Sequence, residues 1–341
     1  MINGVMRPWG KPQWLLQTAS LKEKGWLLIG AISSQERCLS MVRNQTRSFK
    51  LAHAAFLDIV EEASDFSERT TALREVNRTN FQQEVKEDAR ELHSYGLLEP
   101  LKRLQRLVNQ WVENGNERNV VLDVTCLPER FFFPMLRWLL DSPVVENLIV
   151  TCMSPARYTE VALAYNPQDL AHIPTFGGSI SSAPLPVKRV IVSAGFLPFG
   201  LPDLLKNNYS APDIELHIMF PFPSAPASVK RSWEFVRKVE VDVGVLKDDR
   251  QLARVGANDL SACFDRINVI TRNGSIPTVF APYGPKAHSV AMCLKAIQMG
   301  AEVLYTQPTF YHPEYTTGIK LDDGVPAGYA YAVRINGQAL Y

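Results

Sequence analysis

Several marks of a particular compartment or chemistry are missing from this chain of 341 residues. It has five cysteines, Cys38, Cys126, Cys152, Cys263 and Cys293, and no two stand in a Cys-x-x-Cys spacing. That excludes a recognisable zinc knuckle or redox pair, and no metal is expected. An odd number of scattered thiols, with no stretch that reads as a secretory leader, leads to the expectation of a reducing cytoplasm. No apolar run approaches the roughly 20 residues of a membrane span. Even Phe131-Phe132-Phe133-Pro134-Met135-Leu136 stops at Arg137, so a soluble protein without a membrane partner is expected. An excess of one charge is also lacking: 36 basic side chains face 35 acidic ones. A protein held on duplex nucleic acid through its phosphates usually carries a basic surplus, so that partner is not expected either. Finally, there is no Gly-x-Gly-x-x-Gly, no Walker spacing, no Gly-x-Ser-x-Gly elbow and no His-Glu-x-x-His. No cofactor follows from the sequence, no catalytic set can be named, and enzymatic activity stays an open question.

What is present is an α/β rhythm. Apolar segments of strand length alternate with segments of helical period, as in parallel sheets wrapped by helices. Trp26 to Ile32 reads as a strand, followed by the polar turn Ser33-Ser34-Gln35-Glu36-Arg37 and a helix through Met41 and Val42. Leu51 to Val60 reads as a second strand. From about Asp65 to Asn114 the pattern is mostly helical, with Leu97, Leu98, Leu101, Leu104, Leu107, Val108 and Trp111 on one face. Asn119 to Thr125 is a strand, Pro128 to Leu140 a helix and Leu148 to Thr151 a strand. Residues 166–186 are rich in proline, glycine and serine and read as a linker between a first half, 1–165, and a second, 187–341.

The order then repeats. Lys188 to Gly195 and Ile214 to Phe220 are strands, helices follow near Val229–Val239 and Asp259–Ile267, and Pro277 to Gly284 is the counterpart of the Asp123 strand. A helix from Lys286 to Met299 leads into a strand through Thr306, and a hairpin about Asn336-Gly337 closes the chain. A Pro-x-x-Tyr follows each half's last strand, at Pro155–Tyr158 and Pro308–Tyr311. The fold class expected is therefore α/β, two Rossmann-like parallel-sheet halves related by internal duplication, with a small C-terminal β-hairpin. Ligands of such sheets bind beyond the carboxyl ends of the strands, and the expected site is a cleft shared by those ends.

The candidate ligand residues lie in the turns at those ends. Ser33, Ser34, Glu36 and Arg37 could hold a base or phosphate, or form a capping box. Asp123 and Thr125 end a strand, with Asp123 either a site residue or a cap for the Pro128 helix. Gly195, Tyr283 and Gly284 let backbone approach a ligand, while Lys286 and Ser289 open the next helix, where N–H groups face an anion. A plain β–α turn with a solvated lysine explains the same residues. Gln307 and Tyr311 sit in an aromatic-rich loop that would either stack on a base or pack against the protein.

The turn Gly284-Pro285-Lys286, with Ser289 and Ala291 on the following helix, resembles the ligand-binding turn of CARF domains, Rossmann-like sensors of cyclic oligonucleotides in bacterial anti-phage defence. Paired halves of this kind also resemble SAVED domains, and Asp123-x-Thr125 is similar to the Asp/Thr elements of that superfamily. Pro285 stands where a CARF turn usually has threonine, and Cys126-Leu127 stand where the first half would need its glycine. The resemblance implies a sensor or scaffold that binds a nucleotide or cyclic oligonucleotide and works beside a separate effector protein. A nucleotide-processing enzyme, and an interaction subunit with vestigial pockets, are the alternatives.

Overall fold

Eight residues from Gly25 to Ile32, of which all but the first are buried, set the centre of the first sheet. A strand covered on both faces reads as one continuous apolar run, which is why this segment was legible. The computed structural model describes residues 6–18, 20–114, 118–177, 186–209, 214–223, 226–243 and 251–341. It divides into two units, 1–165 with 309–341, and 166–308.

In the first unit the elements run β1 (Gly25–Ile32), α1 (Ser40–Ser48), β2 (Lys50–Val60), α2 (Ser67–Glu84), β3 (Arg90–Gly96), α3 (Lys102–Asn114), β4 (Asn119–Asp123), α4 (Glu129–Asp141) and β5 (Asn147–Met153). These strands pair in parallel in the order β3-β2-β1-β4-β5. One core cluster on this sheet gathers Trp26, Leu28, Phe56, Phe81, Val121 and Ile149. Helix α4 buries Phe131, Phe132 and Phe133, and Tyr95 meets Phe131 edge to face at 5.7 Å.

The second unit repeats the pattern with β6 (Arg189–Ser193), α5 (Leu201–Asn208), β7 (Glu215–Pro221), α6 (Pro226–Val243), β8 (Leu252–Val255), α7 (Leu260–Ile270), β9 (Thr278–Pro282), α8 (Lys286–Met299) and β10 (Leu304–Tyr305). Its parallel order is β8-β7-β6-β9, and Val303, just before β10, bridges Phe280 in parallel at the far side. Position for position this is the order of the first unit, as a duplicated architecture requires. Both are α/β and Rossmann-like, with helices flanking parallel-rich sheets.

The chain ends with β11 (Gly328–Ile335) and β12 (Gln338–Ala339). Asn336 and Gly337 both have positive φ, 48° and 78°, as a two-residue hairpin turn demands. Strand β11 lies antiparallel to β5, and Trp9–Gly10 pairs on its other side.

Four expectations need correction. The C-terminal segment from 309 belongs to the first unit and not to the second half, because β11 covers the apolar edge of β5. The stretch 65–114 contains a strand, β3, so Leu97 and Leu98 precede helix α3 and do not lie on it. Strand β3 carries Arg90, Glu91 and His93, the charges of a blunted edge, and shows no apolar period. Strand β8 is a further short edge strand, with Arg254 exposed in its middle. The linker is also shorter than read. Ala171–His172 pairs with β10, Ile173 and Phe176 are buried, and these residues belong to the second unit. The remainder of that reading, 178–185, lies outside the described residues.

Candidate functional site

In a parallel sheet every β–α turn leaves by the carboxyl edge. At that edge of the first unit, Asp123 is buried at the end of β4. One carboxylate oxygen, Oδ1, accepts from the Thr125 amide at 3.2 Å, from the Thr151 hydroxyl at 3.2 Å and from the Thr125 hydroxyl. The Thr125 hydroxyl oxygen in turn accepts from the Met153 amide at 2.8 Å. Burial raises the Asp123 pKa to about 6, although these hydrogen bonds and the Arg37 charge favour the carboxylate. Asp123 therefore ties its own turn to β5. It does not cap α4, whose N-cap is Pro128 with no side-chain bond.

Arg37 joins the same cluster. Its Nε donates to Gln35 Oε1 at 2.8 Å and its Nη1 to the Met153 carbonyl at 3.2 Å, while the Thr316 hydroxyl donates to Gln35 Oε1 at 3.0 Å. Ser33 Oγ accepts from the Gln35 amide at 3.0 Å, Ser34 is buried and Glu36 is exposed. Arg37, Asp123 and Thr125 are thus brought together, as the sequence proposed, and their hydrogen-bonding capacity is directed into the protein. Tyr311 lies elsewhere in this unit, where its amide donates to Glu61 Oε2 at 3.1 Å. Its neighbours Phe310 and His312 pack on Tyr165 and Phe66, with Phe310 stacked on Tyr165 at 5.6 Å. Gln307 is buried in the second unit, and its carbonyl accepts from the Gln168 amide at 2.9 Å.

The second unit's edge has another character. Gly195 and Gly284 belong to the turns after β6 and β9, and these turns press on each other. A Cβ on Gly195 would stand 1.7 Å from the Tyr283 carbonyl oxygen, and one on Gly284 1.8 Å from Ser193 Oγ. The glycines are required for this close approach of turn to turn. Beneath them Ser193 Oγ lies 3.1 Å from His288 Nδ1, and His288 Nε2 lies 3.0 Å from the Gly256 carbonyl. The carbonyl fixes the proton on Nε2, so the serine hydroxyl donates to Nδ1. Both side chains are fully buried, and burial holds the imidazole neutral with its pKa lowered to about 4. This pair locks three turns and presents no nucleophile to a substrate. Tyr283 turns inward, its hydroxyl 2.9 Å from that of Thr306, and burial pushes its pKa up to about 12. Ser289 is buried, with no hydrogen-bond partner for its hydroxyl among the described residues. Lys286 opens α8 at the partly exposed rim.

Two Arg–aromatic pairs complete that rim and were not read from the sequence. Arg231, early in α6, holds its guanidinium 4.3 Å from the Phe196 ring, which follows β6. Arg254 near the end of β8 lies 5.9 Å from the ring of Phe222, which follows β7 and is 46% exposed. Phe222 stands in the run Phe220-Pro221-Phe222-Pro223. An exposed ring directly after a strand was the missed signal. Among the described residues no group of three His, Cys, Asp or Glu side chains could hold a metal, and no helix is long and apolar enough to cross a membrane.

No protein-family model matches the chain, and no curated protein matches it. Among solved structures it is similar to a protein described as a universal stress protein from Pseudomonas aeruginosa UCBPP-PA14, at 16% identity, 84% of this chain, 94% of that chain and a TM-score of 0.24. It is also similar to a ketoreductase, PlmKR1, from the first module of phoslactomycin biosynthesis in Streptomyces sp. HK803, at 11% identity, 86% and 69% coverage and a TM-score of 0.22. HepE of Anabaena, in complex with UDP, follows at 11% identity, 81% and 90% coverage and a TM-score of 0.18. Likenesses at these scores carry no argument about function, and the fold rests on the strand order itself.

Proposed function

We propose that the second unit binds a nucleotide at the carboxyl edge of its sheet. The observation that carries this reading is the pairing of guanidinium groups with aromatic rings there, Arg231 with Phe196 and Arg254 with Phe222, on the same sheet edge from which α8 starts with Lys286. Flat rings suit a base, and cations suit a phosphate. Lys286 adds a compact charge where the first N–H groups of α8 have no side-chain cap. The first unit offers less, because Arg37 and Asp123 are engaged with their own turns.

In this proposal the chain is a sensor or scaffold of a bacterial defence system that answers to a nucleotide or cyclic oligonucleotide and acts beside a separate effector. The resemblance of the Gly284–Lys286 turn to CARF turns and the repeated strand order support it. A hydrolytic enzyme is the weaker reading, since Ser193 and His288 are buried and the imidazole is held at both nitrogens.

The test is thermal unfolding of the full chain with mononucleotides and with cyclic oligonucleotides. A ligand at 100 times its Kd adds about 2.7 kcal/mol. Lys286→Ala is expected to weaken the responding ligand by about 1–3 kcal/mol, the cost of a lost charge-assisted hydrogen bond. Absence of any nucleotide response, or unchanged affinity in Lys286→Ala, would place the function elsewhere.

A further inference from the structure

The cysteines show no paired spacing in the sequence, but the fold gathers three of them in the first unit. Cys38 lies in the short 3-10 turn Glu36–Leu39 after β1, Cys126 in the turn after β4, and Cys152 next to the last residue of β5. Strands β1, β4 and β5 are parallel neighbours, so all three thiols stand at the carboxyl edge of one sheet. Arg37 stands among them. Its guanidinium is fixed by the Gln35 side chain and the Met153 carbonyl, and its charge couples to the thiols of Cys126 and Cys152. The three thiols are not equivalent. Cys38 is 1% exposed inside the core cluster of this sheet, while Cys126 is half-buried and packs against that cluster. Cys152 is also half-buried, but Ile149 and Met153 belong to the cluster, so strand alternation turns Cys152 to the opposite face of β5. Burial, and after it the neighbouring Cys126, push the Cys38 thiol well above its usual pKa. Among the five cysteines Cys126 alone combines partial exposure, the Arg37 charge and a second thiol on its own face.

We propose that Cys126 is a site of oxidation by hydroperoxides, and that Cys38 resolves the product as a disulfide between the turns after β1 and β4. A cation beside a thiol favours the thiolate, which is the attacking form, and an accessible thiolate next to a second cysteine oxidises reversibly. In the first step the Cys126 sulfur attacks one oxygen of hydrogen peroxide and the O–O bond breaks. The sulfur is oxidised to a sulfenic acid, and the departing hydroxide takes the thiol proton and leaves as water. In the second step the Cys38 sulfur attacks the sulfenic sulfur and the S–O bond breaks. Hydroxide again leaves as water, with the Cys38 proton. Two thiols and one hydrogen peroxide thus give one disulfide and two waters, and a dithiol reverses the change by exchange. This site lies in the first unit and does not rest on the nucleotide reading of the second.

The test is mass mapping of the cysteine peptides after the full chain has been treated with hydrogen peroxide, unfolded and alkylated. In the wild type, Cys38 and Cys126 should be joined in one disulfide-linked peptide, while Cys152, Cys263 and Cys293 alkylate in full. Dithiothreitol should restore both thiols. With dimedone present, Cys38→Ser should accumulate the Cys126 sulfenic acid as its dimedone adduct, and Cys126→Ser should leave Cys38 reduced. Arg37→Gln should slow the oxidation of Cys126 about tenfold, and Arg37→Lys, which keeps the charge, should restore most of the rate. Oxidation of Cys152 as fast as Cys126, a disulfide joining Cys126 to any other cysteine, or no disulfide in the wild type overturns the proposal. An unchanged rate in Arg37→Gln overturns the part given to the guanidinium.

Discussion

At the scale of single residues, two buried titratable groups pull stability in opposite directions with pH. Asp123 has an ordinary pKa of 3.8 and one of about 6 in the fold, so the folded state holds its proton more tightly. Stability from this group is present at acid pH and is lost as pH rises from about 4 to 6, by about 3 kcal/mol. His288 moves from 6.5 down to about 4, so the unfolded chain takes the proton first. Its contribution is present above pH 6.5 and is lost as pH falls toward 4, again by about 3 kcal/mol. Asp123→Asn keeps an oxygen that can accept from the Thr125 and Thr151 groups and removes the charge. Urea unfolding from pH 4 to 8 should show Asp123→Asn gaining on the wild type as pH rises through 6. His288→Gln should lose the acid-side decline. An unchanged pH profile in Asp123→Asn would show that the buried carboxylate does not set this slope.

At the scale of elements, the legible parts were those whose sequence carried one period without interruption. Helix α8 was read with its true limits, because Pro285 precedes it and Gly300 ends it in the left-handed conformation. Strands β1 and β4 were read because each has an uninterrupted apolar middle, Trp26–Ile29 and Val120–Leu122, that is buried on both faces. Strands β3 and β8 were not, because an edge strand is half solvated and its pattern is broken by Arg90, His93 and Arg254. The candidate site was legible at Arg37, Asp123 and Thr125 as a cluster, though not in the direction its hydrogen bonds take. Gly195 and Gly284 were legible as close-approach positions, but what approaches is the opposite turn and not a ligand. That yields a prediction for the paired turns after β6 and β9. Gly195→Ala must push the Tyr283 backbone aside, whereas Gly284→Ala meets the short Ser193 side chain. Both should destabilise by more than the typical overpacking cost of about 1–3 kcal/mol, with Gly195→Ala the worse. Equal stability of Gly195→Ala and wild type in guanidinium unfolding would refute the turn-on-turn packing.

At the scale of the whole molecule, the chain is a discontinuous domain with a continuous one set into it, since 166–308 interrupts a unit made of 1–165 and 309–341. The sequence concealed this because each half has a complete strand–helix rhythm, and no local signal says which sheet a late strand will join. Strand β11 settles it through side chains that only the first unit can bury. Ala330 and Ala332 lie in the core cluster with Trp26 and Ile149, and Tyr331 stacks with Trp9 at 6.0 Å. Arg334 donates to the carbonyls of Leu140, Ser142 and Val145, where α4 ends and the chain turns into β5. A chain cut at 165 therefore exposes the apolar edge of β5 and leaves those carbonyls without their guanidinium, while a chain of 166–308 loses no strand of its own sheet. Exposed unpaired edges of this kind invite aggregation. The expected outcome is that 166–308 expressed alone unfolds in one cooperative transition and 1–165 alone does not. Joining 1–165 to 309–341 through a Gly/Ser segment should restore the transition. The same 166–308 fragment should bind the responding nucleotide within about threefold of the full chain, because Phe196, Phe222, Arg231, Arg254 and Lys286 all lie inside it. Cooperative melting of 1–165 alone would show that β11 is dispensable to the first sheet. A folded 166–308 that has lost nucleotide binding would show that the carboxyl edge of the second unit is not sufficient for the site.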